Sequence, residues 1–163
     1  MQVDHRRAGA TLAELAVVLV LVGILVSIAA PSARRMIERA EAEAALNQLV
    51  ADLAYTRMRA VRGGHGTELR LMLGAECPRP RLGRIAADRY LVVAHDPAPR
   101  VLRETRVRQA GRGACLESNN DASIFFNSRG LLVPFENRTV AARSGDASAH
   151  LTMSVLGRVL RRY

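Results

Sequence analysis

From Leu15 to Ala30 the chain carries no charge, and only Gly23 and Ser27 interrupt an otherwise aliphatic run. Between Arg7 and Arg34 the single formal charge is Glu14. The segment from Ala10 to Pro31 is 22 residues, and at about 1.5 Å per residue it is long enough for a ~30 Å hydrocarbon layer. One membrane span is therefore the first expectation. A cleaved secretory signal would use Arg6 and Arg7 as its positive start and Ser27-Ile28-Ala29 as its cleavage site. Glu14 argues against it, because an acid costs about 2.5–3.5 kcal/mol if it reaches the bilayer centre and so requires a partner. An ordinary single-span anchor with an interfacial acid remains the alternative.

Beyond Pro31 the pattern stays helical. Ser32 can cap a restarted turn after a proline bend. Ile37, Ala40, Ala44, Leu49, Leu53 and Val61 recur near a 3.6-residue period, with Ala45, Leu46, Val50 and Met58 widening the stripe. Glu38, Arg39, Glu41, Glu43 and Asp52 fall on the expected polar face, and Gly63-Gly64 ends the helix. The period then changes to two. Strands are expected at 67–73, 89–95, 101–108, 123–127, 139–142 and 151–155, within a total of six to eight, mostly antiparallel. The fold class is α+β: a long N-terminal helix (10–31 apolar, 32–62 amphipathic) on a β-rich domain over 63–163, with no internal repeat.

Charge is unevenly divided. The chain has 24 basic residues, every one arginine, against 15 acids. Residues 10–56 sum to −2, whereas 57–163 hold 19 arginines against nine acids, a net of +10. Arg103, Arg106, Arg108 and Arg112 form one dense stretch, in which 106 and 108 share a strand face and 103 points opposite. Arg158, Arg161 and Arg162 form a second, with no acid after Asp146. One reading is that these side chains keep the domain soluble. The other is a nucleic-acid surface, in which arginine forks grip phosphates without reading sequence and Tyr163 stacks on an exposed base.

Enzymatic signatures are missing from the sequence. It contains no Gly-x-Ser-x-Gly, His-Glu-x-x-His or phosphate-binding loop, and Gly64-x-Gly66 reads as helix termination. His65, His95 and His150 match no ligand spacing, and two cysteines cannot make a four-thiolate zinc site, so no cofactor or metal is expected.

Ala8-Gly9-Ala10-Thr11-Leu12-Ala13-Glu14-Leu15, followed by the Val/Leu run and Pro31, resembles the start of a type IV pilin or pseudopilin. The resemblance implies a leader of residues 1–9 cut by a prepilin peptidase after Gly9, and methylation of the new N-terminus at Ala10. Ala10 stands where such chains usually carry Phe or another large apolar residue. It further implies that Glu14 meets the terminal amine of a neighbouring subunit, two charges costly to bury singly but tolerable as a pair. Ile124-Phe125-Phe126-Asn127-Ser128-Arg129-Gly130, Thr139, Leu151-Thr152-Met153-Ser154-Val155 and Gly157-Arg158-Val159 are similar to the GspH/FimT group of minor pilins. That group implies a pilin-like fold, a helix against a β-sandwich-like pair of sheets. It implies an inner-membrane anchor with a periplasmic domain, and filament partners of the same class. FimT-type members are associated with DNA uptake through an Arg-containing C-terminus, which makes Arg158, Arg161 and Arg162, with Arg106 and Arg108, the DNA-binding candidates. A GspH-type pseudopilin of type II secretion is the alternative. In a periplasmic domain Cys77 and Cys115 would pair, stabilising by about 4 kcal/mol in the chain-entropy account; in a reducing compartment they would be free thiols.

Overall fold

The computed structural model describes residues 12–83 and 85–162, with only the main chain of Arg161 and Arg162. Gly9 and Ala10 lie outside the described residues. Helix α1 runs over Leu12–Gly63 with Pro31 inside it, so the helix continues through the proline as expected, with Ser32 in its interior. The chain divides into two compact units after Met36. In the first, every described residue is exposed, and the helix is long and apolar enough to cross a membrane.

Among the described residues the second unit joins the remainder of α1 to eleven strands, three more than the upper expectation. These are β1 (Thr67–Leu73), β2 (Ile85–His95), β3 (Pro99–Arg106), β4 (Arg108–Gln109), β5 (Arg112–Gly113) and β6 (Cys115–Ser118), followed by β7 (Ser123–Phe126), β8 (Leu132–Val133), β9 (Arg138–Ser144), β10 (Ala147–Met153) and β11 (Val159–Arg162). Nine of them form one sheet in the order β11-β10-β9-β6-β2-β1-β7-β8, with β3 paired to β2 off that path; β4 and β5 pair separately. All pairings are antiparallel. The expected α+β architecture is the one observed.

The alternation in Thr67–Leu73 puts Leu69 and Leu71 into the core, but Leu73 is exposed at the strand's irregular end. The expected strand over 101–108 stops at Arg106. There the chain leaves β2, and Arg108–Gln109 folds back on Arg112–Gly113 through Ala110 and Gly111, both at positive φ. β6 is buried at all four positions. The basic tail is itself a strand, β11, pairing Val159–Arg162 with β10.

The helix stripe is rotated from the expected one. Ala42, Ala45, Leu46, Leu49, Asp52, Leu53, Thr56 and Ala60 are buried, whereas Ile37, Ala40, Ala44, Met58 and Val61 are exposed. Leu49 and Leu53 meet Leu69, Tyr90, Val92, Leu116, Ile124, Phe126 and Leu151 in one core. Cys77 and Cys115 form a disulfide, tying the loop after β1 to β6.

Candidate functional site

Glu14 sits in the first turn of α1, exposed, where the helix dipole favours an anion. The residues around it are aliphatic and equally exposed: Leu15, Val17, Val18 and Leu19 each present more than half their surface. An isolated water-soluble protein gains nothing by presenting such a surface.

The structure separates the candidate arginines. Arg106 is exposed, with its Nε 3.7 Å from Glu104 Oε1, and Glu104 also lies 3.6 Å from Arg89. Arg108 is half-buried and donates from Nη1 to the Gly113 carbonyl at 2.9 Å, so its charge braces the β4–β5 hairpin. Arg158 is exposed in the turn before β11, its main-chain N–H donating to Ser154 Oγ at 3.2 Å. Arg161 and Arg162 stand opposite Leu151 and His150 in the β10–β11 ladder. In the sheet order β10, β9 and β6 intervene between β11 and β2, to which β3 is paired. The fold therefore gathers 158, 161 and 162 in one hairpin and leaves 106 and 108 elsewhere.

One ionisable centre was not expected. Asp52, assigned to the polar face by sequence, is fully buried. Its Oδ2 accepts from Tyr90 Oη at 2.7 Å, Thr105 Oγ1 at 3.1 Å and Gln48 Nε2 at 3.2 Å, and its Oδ1 from Arg103 Nη1 at 2.5 Å. Tyr90 and Thr105 are directly paired across β2 and β3, and the Arg103 guanidinium lies 5.0 Å from the Tyr55 ring centroid. Burial pushes the Asp52 carboxyl up, but the four donors outweigh it and hold the group below its ordinary value. Burial, then the hydrogen bond to Asp52 and its negative charge, push the Tyr90 phenol well up, so it remains a donor. The centre fastens α1 to β2 and β3 and has the chemistry of a clamp. The signal was available: Asp52 lies between Leu49 and Leu53, four residues before Thr56, inside the aliphatic stripe.

Two further buried carboxylates work alike. Glu117 Oε2 accepts the main-chain N–H groups of Arg81 and Leu82 at 3.0 and 2.9 Å, and its Oε1 lies 3.1 Å from Arg143 Nε. Glu68 is held by Arg70 and by Ser123 Oγ at 2.8 Å. Among the described residues no group of three or more His, Cys, Asp or Glu is placed to hold a metal ion.

The family described as Type II transport protein GspH matches residues 45–157. No curated sequence matches the chain. Among solved structures, the type IV minor pilin FimU of Pseudomonas aeruginosa is similar at 22% identity, covering 77% of this chain and 90% of that one with a TM-score of 0.57. The minor pseudopilin EpsH from the type 2 secretion system of Vibrio cholerae is similar at 13% identity, covering 75% and 96% with a TM-score of 0.54. At these identities both matches speak for the fold, which is pilin-like.

Proposed function

The chain belongs to the GspH family of type II transport proteins, and from that premise we propose that it is a minor pilin of a type IV pilus, FimT-like in role. In this reading it is a structural subunit: a prepilin peptidase cuts after Gly9, Ala10 becomes the methylated N-terminus, and the apolar half of α1 rests in the inner membrane before entering the filament. The observation that carries the reading is the first unit of α1, aliphatic and exposed on every described residue, with one carboxylate, Glu14, in its first turn. In the filament the apolar surface is covered by the same segment of other pilins. Glu14 and a neighbour's terminal amine then satisfy each other where neither could be buried singly.

The domain's charge supports a second activity, sequence-indifferent DNA binding during natural transformation. The candidates are Arg158, Arg161 and Arg162 in the β10–β11 hairpin; Arg106 and Arg108 already serve Glu104 and Gly113. Affinity should fall steeply with salt. The alternative, a GspH-type pseudopilin of a type II secretion system, is favoured by the name of the matching family and by the likeness to EpsH.

Co-expression with a prepilin peptidase, followed by mass spectrometry of the mature N-terminus, tests the processing: a start at Ala10 is expected, and a start at Ala30 would mean ordinary secretion. For DNA, replacement of Arg158, Arg161 and Arg162 by Gln should weaken a salt-sensitive gel shift. An unchanged affinity removes the DNA role and leaves the filament role standing.

A further inference from the structure

A cavity of about 510 Å³ opens between the C-terminal turns of α1 and the strands β7, β10 and β11. Its walls are aliphatic and aromatic: Leu53, Met58, Val61, Phe126, Met153 and Val159. Met58 and Val61 are exposed, and Leu156 in the turn before β11 is more than half exposed, so apolar surface continues past the opening. Arginines ring it. Arg57 and Arg62 line the cavity itself. The turns after β7 and β10 close on Arg57: a Cβ at Gly130 would lie 3.1 Å from Arg57 Nε, and one at Gly157 3.4 Å from its Cζ. Arg129 and Arg158, each the chain neighbour of one of these glycines, are exposed. None of the four guanidinium groups has a carboxylate partner among the described residues, whereas Arg70, Arg89, Arg103, Arg106 and Arg143 all do.

Cations lining an apolar cavity repel one another and those on the adjoining turns, and an anionic ligand with an apolar anchor relieves that repulsion while covering the apolar wall. The third feature is β11. Among the described residues it ends the sheet order, pairs only with β10 and supplies Val159 to the cavity wall, so its outer edge offers main-chain donors and acceptors to an added strand. A second copy of this chain is a poor occupant. Residues 57–163 carry a net of +10, and Glu68, Glu104 and Glu117 are already held by their own arginines. Nucleic acid would use the cations but not the wall, because aliphatic side chains give a base edge no hydrogen-bond partner.

We propose that this cavity is the docking site for an extended acidic segment of a different protein, which adds along β11, seats an apolar side chain against Met58 and Val61, and sets its carboxylates against Arg57, Arg62, Arg129 and Arg158. The proposal goes beyond the filament reading and does not depend on it, since Glu14 and the apolar half of α1 take no part.

The test is calorimetric titration of the full chain in detergent with three synthetic peptides: Glu-Leu-Glu-Phe-Glu-Leu-Glu, Glu-Ser-Glu-Ser-Glu-Ser-Glu, and Lys-Leu-Lys-Phe-Lys-Leu-Lys. The first is expected to bind about tenfold or more tighter than the other two. Met58→Glu, a helix-compatible change at an exposed position, should lower its affinity by about tenfold, as should Arg57→Gln, with unchanged circular dichroism melts as the folding control. Equal binding of the two acidic peptides, or indifference to Met58→Glu, overturns the proposal. So does a single-stranded oligonucleotide that displaces the first peptide and whose own affinity falls with Arg57→Gln, which would assign the rim to nucleic acid. Loss of DNA binding on replacing Arg161 and Arg162 alone, with peptide binding intact, would leave this site standing and separate it from the DNA surface.

Discussion

Residues 12–36 and 37–63 belong to one continuous helix, yet they answer to different solvents. In the first stretch the aliphatic side chains are spread all round the helix, and every described residue is exposed. In the second, apolar and polar residues segregate, and the stripe from Ala42 to Ala60 closes a core with the sheet. A helix with one buried face draws its stability from its own tertiary contacts; a helix apolar on all faces needs lipid or other helices around it. One helix thus joins a part folded by this chain alone to a part completed only by its surroundings. Substitutions that act on one half and spare the other test that division.

The largest effect on the folded unit should come from the disulfide. Cys77 and Cys115 are 38 positions apart, and replacing both by Ser should cost about 4 kcal/mol in the chain-entropy account. The midpoint of denaturant unfolding reads this loss, while detergent association through residues 12–36 stays as it was. The next test uses one substitution in both halves. Leu49 is fully buried and Leu19 is 62% exposed. Leu49→Ala should lower stability by about 3 kcal/mol, and Leu19→Ala by less than about 0.5 kcal/mol. Equal losses would break the comparison, because they would mean that the apolar half is folded against its own chain. Asp52→Ala comes third, at about 2–3 kcal/mol: it strands the buried Tyr90 hydroxyl, while the Arg103 guanidinium, half in solvent, recovers part of its hydration.

The two halves also differ in how openly the sequence declares them. An uninterrupted aliphatic run carries its meaning residue by residue, and the position of Glu14 within it is legible without a structure. Period-two segments such as Thr67–Leu73 were equally plain because alternate positions send Leu69 and Leu71 into the core, although Glu68 on the other face is buried as well. β6 was missed because a strand buried at all four positions has no alternation, and Glu117 and Ser118 disguise it as a loop. β11 was missed because its arginines read as a charged tail, although Val159 and Leu160 lie between them. The rotation of the helix stripe has a different cause. The place of Asp52 between Leu49 and Leu53 hints at burial, but Tyr90, Thr105 and Arg103 come to it from β2 and β3, and no local pattern announces partners 38 to 53 positions away. The arginine sets were legible as composition and not as places, since sequence could not show which guanidinium groups are already taken.

The smallest expected effect is also the most specific, and it follows from the sign of the Asp52 shift. Its carboxyl is held below the ordinary value of 3.8 in the folded protein. A depressed acid adds stability that is fully present above the unfolded pKa and disappears as pH falls through the folded one. The contribution of this group is therefore constant from neutrality down to about pH 5 and vanishes only below 3.8. Asp52→Asn keeps an acceptor for Tyr90 but has no charge to lose. Denaturant unfolding of the parent and the Asn variant over a pH series should give a stability gap that is flat near neutrality and closes in acid. The Tyr90 shift acts at the other end: a raised phenol stabilises below its unfolded pKa of about 10 and loses that contribution as pH climbs. A gap that stayed constant into strong acid would show that folding leaves the Asp52 carboxyl undepressed. The donors around Asp52 would then do no more than offset its burial, and the boundary between the self-folded and environment-dependent halves of α1 would have to rest on Leu49 and Leu53 alone.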